Sequence, residues 1–509
     1  MRKSSGFLAS LSVIYLLIPV VFFAWGWLRW PIALVTTLVA GATVAVAARD
    51  AWSAWKDKEN RPTTRELLSA LWPALVVVTA WLFASGIGGF GQQTGDYDSH
   101  NALLRGLIFE PWPLRMNIEG QTVNMVYYIG YYLPAAAFGK LFGWGAANIF
   151  HFLWAWLGVW LAFLWFWRIC GVQGRRGKLL VLAFIFCLAS GMDVIGYYLY
   201  FSNPFAWGQH IEVWAKLFQF SSQTSLLYWV PQQTLPAWLV AGLTFDCLKN
   251  PRTFRYLGMA AAACVLWSPF GSLGIVPYLV GVVIALLVMK QARTLFHPLS
   301  IALNLGSLWV GAVHILYISS NKLAFPIGLL WNLVEDRPAY LRTAFVFWAL
   351  ELAIIAVTAA LLMRSIRRAR REEADESDPG LRSQWGFFVT ACVVLTVLPL
   401  FQMGYNNDLV MRSSIPSLFF LWAFTARALL DAKPYLRKRK VALPFALLLL
   451  FLVVGSYTSL SEIGRSIYSY HFGPPDLKDV KTVEDASYPY IVAQRIGKED
   501  TFFYRYLGR

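Results

Sequence analysis

The amino-acid sequence predicts an all-α protein that crosses a membrane many times, and three observations support this fold class. Hydrophobic residues make up 58% of the 509 residues, whereas charged residues make up 14%. Apolar stretches of about 20 residues, the length that spans a bilayer as a helix, recur along the chain. Lysine and arginine cluster in the short loops between these stretches, as in membrane proteins oriented by positive charge. The net charge of +16 therefore reflects membrane topology, and we expect no nucleic-acid partner.

We expect about 13 membrane-spanning helices in an ordered series. The first is a retained anchor, because no small-residue cleavage site follows it. Residues 268–271 predict a tight turn between two short spans, although a kink within a single span is the alternative. The five cysteines lack CxxC spacing, which argues against disulfides and a zinc site. The predicted spans lie near 7–28, 31–48, 67–88, 146–168, 179–199, 226–246, 255–269, 273–290, 299–319, 343–363, 386–403, 416–431 and 442–458.

The distribution of basic residues decides the predicted orientation. With a cytoplasmic N-terminus and an external C-terminus, the cytoplasmic segments contain 28 lysines and arginines and the short external loops contain 9. This count requires that the apolar segment 127–143 is an interfacial helix, with its four tyrosines at the level of the lipid headgroups. We predict an inner-membrane protein with a transmembrane domain over 1–458 and a small external tail over 459–509. The external loops are 89–145, 200–225, 320–342 and 402–415.

The first external loop concentrates ionisable residues directly after an apolar helix. The glycine-rich sequence from residue 86 to residue 95 ends that helix and is followed by Asp96, Asp98, His100 and Arg105. Ionisable side chains close to a membrane are costly unless they line water, a metal or a substrate, so this run is a candidate site. The alternative is that Asp96 caps a helix that begins near Ser99.

This layout resembles the GT-C superfamily of integral-membrane glycosyltransferases. The resemblance rests on a membrane helix, an external loop that opens with acidic residues, and a tyrosine-rich interfacial segment before many further helices. The sequence NMVYYIGYYLPAAAFGKLFG at 124–143 is especially similar to the tyrosine-rich segment of a bacterial and archaeal subgroup of uncharacterised GT-C-like membrane proteins. The resemblance implies transfer of a sugar from a polyprenyl-phosphate carrier to an acceptor outside the membrane.

The resemblance also implies that the first acid of the loop, Asp96, is the catalytic base of an inverting reaction. An inverting transfer requires a carboxylate of this kind, because a base must take the proton of the acceptor hydroxyl as the glycosidic bond forms. Asp98 is expected either to orient the acceptor or to bind a divalent metal, Mg²⁺ or Mn²⁺, together with Asp96. His100 is a further catalytic candidate in the same run.

The leaving lipid phosphate requires cations. Arg412 is the best candidate, because it is the one basic residue of the last short external loop and precedes a helix. The alternatives are that Arg412 reaches to lipid headgroups or pairs with Asp408. Arg337 and Arg342 are weaker candidates for the same role. No glycine-rich nucleotide-binding loop is found in the sequence, which favours a lipid-linked donor.

The remaining candidates are expected to bind substrate. Aromatic and amide side chains of the second external loop suit sugar rings, although an aromatic belt at the interface uses the same residues. Two other classes of function stay open, namely a transporter or flippase of lipid-linked sugars and a non-catalytic assembly subunit of the same fold. The substrate-binding candidates are Arg105, Tyr127, Tyr128, Asp193, His210 and Glu212.

Overall fold

The protein is predominantly helical, as the sequence predicts. The computed structural model describes residues 5–56, 64–172, 175–204, 209–322, 326–372, 380–485, 492 and 494–509.

Twenty α-helices and four short strands are present in these residues. The helices are α1 (Ser5–Trp27), α2 (Trp30–Lys56), α3 (Thr64–Phe83), α4 (Tyr97–Phe109), α5 (Leu133–Cys170), α6 (Arg176–Leu188), α7 (Asp193–Tyr200), α8 (Gln223–Trp229), α9 (Pro231–Cys247), α10 (Phe254–Trp267), α11 (Pro269–Val288), α12 (Ala292–Leu295), α13 (Pro298–Ser319), α14 (Leu330–Leu333), α15 (Arg337–Trp348), α16 (Ile354–Glu372), α17 (Gly380–Val397), α18 (Asp408–Ser413), α19 (Ile415–Ala432) and α20 (Arg439–Tyr468). The strands are β1 (Arg115–Ile118), β2 (Gln121–Asn124), β3 (Ile327–Leu329) and β4 (Phe401–Met403).

Nine helical stretches in the described part of the chain are long and apolar enough to cross a membrane. The other predicted spans coincide with α3, α9, α10 and α17, which are not among these nine. The chain is thus a multi-pass, all-α membrane protein. One of the nine stretches, Arg337–Glu372, joins α15 to α16 through a π-helical turn at Ala349–Ala353.

The centre of the bundle is formed by α9 and α19. Every residue of α9 is buried, and so are most residues of α19. Trp238 of α9 packs against Phe186 of α6 at a centroid distance of 5.1 Å and against Phe419 of α19 at 5.8 Å. Aromatic packing of this kind holds helices together in lipid, where water does not drive their association.

One face of the bundle carries the loops and the C-terminal tail, and we call it the tail face. Isolated β-bridges join the tail to four earlier points of the chain, namely Leu28, Phe90, Met125 and Asn321. These points lie in or next to the segments predicted to be external. The structure thus brings the predicted external loops together under the tail.

The first loop contains a β-hairpin that the sequence reading did not predict. Strand β1 pairs antiparallel with β2, with Arg115 opposite Asn124 and Ile118 opposite Gln121. Glu119 and Gly120 both have positive φ values, 51° and 82°, as two-residue hairpin turns require. The hairpin ends at Asn124, and the tyrosine-rich segment follows it on the tail face.

The helix predicted over 127–143 ends at a break at Gly143 as expected, but it begins at Leu133, and two of the tyrosines expected at the headgroups are buried. Helix α5 begins at Leu133 and continues to Cys170, with a break in helical geometry at Gly143. Tyr131 and Tyr132 are 1% exposed, so they pack inside the protein and do not lie at the headgroups.

The last helix is also longer than predicted. Helix α20 continues beyond the predicted end at 458 to Tyr468, so the tail begins after that residue.

Candidate functional site

Asp96 lies at the first turn of α4, on the tail face. Helix α4 begins at Tyr97, two positions before the expected start, and the Tyr97 hydroxyl donates to the Ser85 carbonyl at 3.0 Å. Asp96 occupies the N-cap position with helical backbone angles, and its side chain makes no capping hydrogen bond. The capping alternative is therefore wrong, and the carboxylate is left accessible to solvent.

The surroundings of Asp96 raise its pKa above that of an ordinary aspartate. Burial raises the pKa of the Asp96 carboxyl, the charges of Arg412 and His210 lower it, and the charge of Asp408 raises it again. These four residues come from three distant segments of the sequence, and we call them the Asp96 cluster.

Helix α18 holds Arg412 in the cluster. Asn407 precedes it with a φ of 55°, and its side-chain amide donates to the carbonyls of Leu217 and Phe401, both at 3.1 Å. Arg412 Nη2 lies 2.8 Å from Asp408 Oδ1, and Arg412 Nη1 donates to the Tyr128 hydroxyl at 2.8 Å. The pairing of Asp408 with Arg412, given above as an alternative to phosphate binding, is present in the structure and holds the guanidinium in place.

The position of α18 depends on a glycine of the neighbouring helix α11. A Cβ atom at Gly274 would lie 2.1 Å from the backbone oxygen of Ser413, the residue after Arg412. We expect Gly274→Ala to force α18 away and to lower stability by about 1–3 kcal/mol, as overpacking does. Gly281→Ala is the matched control, since it lies on the same helix with nothing within 4 Å of the new atom. Thermal unfolding in detergent measures both, and equal unfolding temperatures would contradict the expectation.

Two stacked tyrosines extend the cluster towards the tail. The rings of Tyr127 and Tyr128 stack at 3.8 Å, and the Tyr127 hydroxyl donates to the Tyr128 hydroxyl at 2.6 Å. The guanidinium of Arg495, a tail residue, lies 5.0 Å from the centroid of the Tyr127 ring. Arg412 and Arg495 thus flank the tyrosine pair, with one arginine against each tyrosine.

His210 is held in the site by the carboxylate of Glu462, a residue that sequence reasoning missed. His210 Nδ1 donates to Glu462 Oε1 at 2.9 Å, and Trp229 Nε1 donates to Glu462 Oε2 at 3.0 Å. Arg465, one turn further along α20, also bonds to Glu462. Burial lowers the pKa of His210, but the hydrogen bond to Glu462 and the charges of Glu212 and Glu462 outweigh it and raise the pKa above its ordinary value. His210 therefore favours the charged form beside Asp96.

Asp98 and Arg105 contact the tail and not the cluster. The Asp98 side chain is 61% exposed and lies 2.9 Å from Lys481 Nζ. Arg105 Nη1 donates to the backbone carbonyl of Val480. The two residues that were expected to bind metal or substrate hold the tail against α4.

A divalent metal does not fit the residues present. Among the described residues, no three His, Cys, Asp or Glu side chains are placed to hold one. Asp98 pairs with Lys481, and the groups that act on Asp96 include two cations. Mg²⁺ and Mn²⁺ require several oxygen ligands, so we derive no chemical step through a metal.

His100 lies beneath the cluster with both ring nitrogens occupied. Nε2 donates to the Trp229 carbonyl at 3.2 Å, and Nδ1 is bonded to the Tyr132 hydroxyl. Burial lowers the pKa of His100 to about 3, the bond to Trp229 opposes this, and the charges of Arg495 and Arg412 add to it. A neutral, fully bonded imidazole positions α4 against α8 and cannot deliver a proton near neutral pH.

Arg337 and Arg342 lie on α15, exposed to solvent. Arg337 lies over the ring of Trp331 at 4.9 Å, and Asp336 caps α15 by accepting from the Ala339 amide at 3.0 Å. Neither arginine is among the charges that act on Asp96.

Asp193 and Glu212 belong to a second buried group of acids. Asp193 accepts hydrogen bonds from Ser190 at 3.1 Å and from Thr458 at 3.0 Å. Glu212 accepts from Gln219 at 3.0 Å, and its carboxylate lies 3.8 Å from His210. Glu212 therefore lies next to His210 of the Asp96 cluster. Asp193 is bonded instead to Ser190 and Thr458. Residues 205–208 of the second loop lie outside the described residues.

The residues that sequence reasoning missed are Glu462, Arg465 and Arg495. Glu462 and Arg465 are three residues apart after an apolar run, a spacing typical of one helix face, and this was the available signal. Arg495 follows a stretch without periodicity, and no signal in the sequence places it beside Tyr127.

The chain matches no protein-family model, no curated protein and no solved structure. Its fold and its site define a multi-pass helical membrane protein that gathers acids, arginines and a histidine at one face of the bundle.

Proposed function

We propose that the protein is a GT-C-type glycosyltransferase of the inner membrane. It moves a sugar from a polyprenyl-phosphate-linked donor to the hydroxyl of an acceptor at the outer face, with inversion at the anomeric carbon. In this proposal the tail face is the outer face, with the N-terminus in the cytoplasm.

The observation that carries the proposal is the setting of Asp96. The carboxylate is accessible, its pKa is raised by burial, and Arg412 and His210 act on it electrostatically. A base of this kind accepts a proton more readily than an ordinary aspartate while it stays reachable by an acceptor. Its position directly after a membrane helix suits a lipid-linked donor.

The reaction proceeds as a single displacement. The acceptor oxygen attacks the anomeric carbon as Asp96 takes the hydroxyl proton, and the bond from that carbon to the phosphate oxygen breaks. The phosphate leaves with the electron pair of that bond, and Arg412 offsets part of its charge. Attack opposite the leaving group inverts the anomeric centre.

Donor binding tests the proposal. We expect purified wild-type protein to bind a polyprenyl-phosphate sugar, and we expect Arg412→Ala to weaken binding about 10- to 100-fold, the value of a charge-assisted hydrogen bond. Native mass spectrometry measures both. Arg337→Ala is the control, because Arg337 is exposed and stacks on Trp331. Absence of binding to the wild type would contradict a lipid-linked donor.

A transporter or flippase of lipid-linked sugars is the second candidate. Glu351 lies within a long apolar stretch, is 1% exposed, and is close enough to the buried acid Asp193 to interact with it. Buried acids inside membrane helices are typical of ion-coupled transport. Proteoliposomes that flip a fluorescent lipid-linked sugar without any acceptor, with no loss in Asp96→Asn, would favour this candidate.

A further inference from the structure

Arg495 is a buried cation for which the described residues supply no carboxylate partner. Its side chain is 1% exposed, and neither Nε nor Nη1 has a hydrogen-bond partner among the described residues. Its guanidinium lies over the face of the Tyr127 ring. A buried charge in this state is costly, because the ring face replaces only part of the lost hydration.

The fold does not need the guanidinium to hold the tail in place. Residues 494–498 lie between two other segments and bond to both through the main chain. The Val126 amide donates to the Arg495 carbonyl at 2.8 Å, and the Lys322 amide donates to the Ile496 carbonyl at 2.7 Å. The backbone therefore fixes the position of Arg495, and its charge is available for another purpose.

The neighbouring arginines Arg412 and Arg465 differ from Arg495, because each of them has a carboxylate partner. Arg412 is paired with Asp408 at 2.8 Å, and Arg465 is paired with Glu462. Of the three, Arg495 alone lacks a carboxylate partner within the described residues. An incoming anion gains most from the cation whose charge is least compensated, which adds Arg495 to Arg412 as a residue that binds it.

Arg495 and Arg412 lie against the same pair of tyrosines. Both arginines contact the stacked pair of Tyr127 and Tyr128, and both act electrostatically on His100. An anion held between them would meet two guanidinium groups and the tyrosine hydroxyls. This donor set suits a phosphate group, because guanidinium and hydroxyl donors match its oxygens.

We propose that Arg495 binds a phosphate group, which is the phosphate of the lipid-linked donor if the proposed function holds. Arg495 takes most of the anion's charge, whereas Arg412, already paired with Asp408, positions the anion and sets the charge around Asp96. The tail thus contributes a ligand-binding residue to the site.

Binding of farnesyl phosphate to the purified full-length protein tests this proposal. We expect farnesyl phosphate to raise the thermal unfolding temperature of the wild type. We expect Arg495→Met to weaken this binding at least tenfold and to leave the unfolding temperature without ligand unchanged or higher, since methionine removes an uncompensated buried charge. Arg505→Met, an exposed arginine of the same tail, is the control and should bind like the wild type.

Arg495→Lys keeps the test decisive if Arg495→Met fails to fold. Lysine retains the charge but not the planar donors of arginine. The affinity of Arg495→Lys for farnesyl phosphate should therefore lie between that of the wild type and that expected for Arg495→Met. Wild-type affinity in every folded Arg495 variant would overturn the proposal. Competition by inorganic phosphate would support recognition of the phosphate itself, whereas displacement by phosphatidylglycerol at equal concentration would overturn its assignment to a donor.

The two proposals fail separately. Arg495-dependent binding of farnesyl phosphate without any glycosyl transfer would leave the phosphate site and remove the transferase. Transfer that is lost in Asp96→Asn would support the transferase. Unchanged farnesyl phosphate binding in Arg495→Met would at the same time remove the phosphate site at Arg495.

Discussion

Asp96→Asn is expected to reduce glycosyl transfer by about 10²- to 10⁴-fold, the contribution of a general base. Asparagine keeps the shape of the side chain and removes its ability to accept the acceptor proton. Folding should be unchanged, because Asp96 makes no capping hydrogen bond. The measurement is the initial rate of transfer of a labelled sugar from a polyprenyl-phosphate donor by the purified protein.

Asp98→Asn is the matched control for this prediction. It changes the same residue type two positions away, but Asp98 is exposed and pairs with Lys481 in the tail. We expect its transfer rate to stay within about twofold of the wild type, since an exposed ion pair contributes little. A rate in Asp96→Asn that equals the rate in Asp98→Asn would remove Asp96 from the mechanism.

The raised pKa of Asp96 predicts the acidic side of the pH profile. Transfer needs the unprotonated carboxylate, so the rate should fall as pH decreases through the pKa of Asp96. Burial raises this pKa above the ordinary value of 3.8, and the fall should therefore begin at a higher pH than for an exposed aspartate.

Glu462→Ala is expected to have the largest effect on stability. The Glu462 carboxylate is 3% exposed and accepts hydrogen bonds from His210, Trp229 and Arg465. Its removal leaves three partly buried donors, two of them cationic, without this partner, which costs up to about 3–5 kcal/mol. The thermal unfolding temperature in detergent should fall clearly, and His210 should lose its fixed position beside Asp96.

Glu372→Ala provides the comparison for Glu462→Ala. Glu372 also forms an ion pair, with Lys438 at 3.0 Å, but its side chain is 67% exposed. We expect a change of less than about 1 kcal/mol, as for other surface pairs. Similar unfolding temperatures for the two variants would show that the bonds of Glu462 do not hold the second loop to α20.

Apolar length and basic loops were sufficient to predict the fold class. Both signals are local, because each helix is specified by its own composition. The break at Ser268 was also predictable, since Ser268 caps α11 by accepting from the Gly271 amide at 3.0 Å. Asp96 could be selected as a site residue because it directly follows an apolar helix.

The partners of Asp96 could not be predicted, because they depend on contacts between distant segments. His210 and Arg412 follow Asp96 after many intervening residues, and only packing decides that their charges act on its carboxyl. The tyrosines were misplaced for a different reason. A tyrosine at a membrane interface and one buried against His100 have the same local sequence signal.

The backbone bonds of residues 494–498 have a consequence for biogenesis. The segment pairs with Val126 and Lys322, which the ribosome makes long before it makes Arg495. The intervening helices must therefore be inserted into the bilayer before the tail can dock between these points, and closing so long a loop is entropically slow. During synthesis the membrane bundle therefore exists before Arg495 reaches Tyr127, and the contact between these two residues is among the last to form.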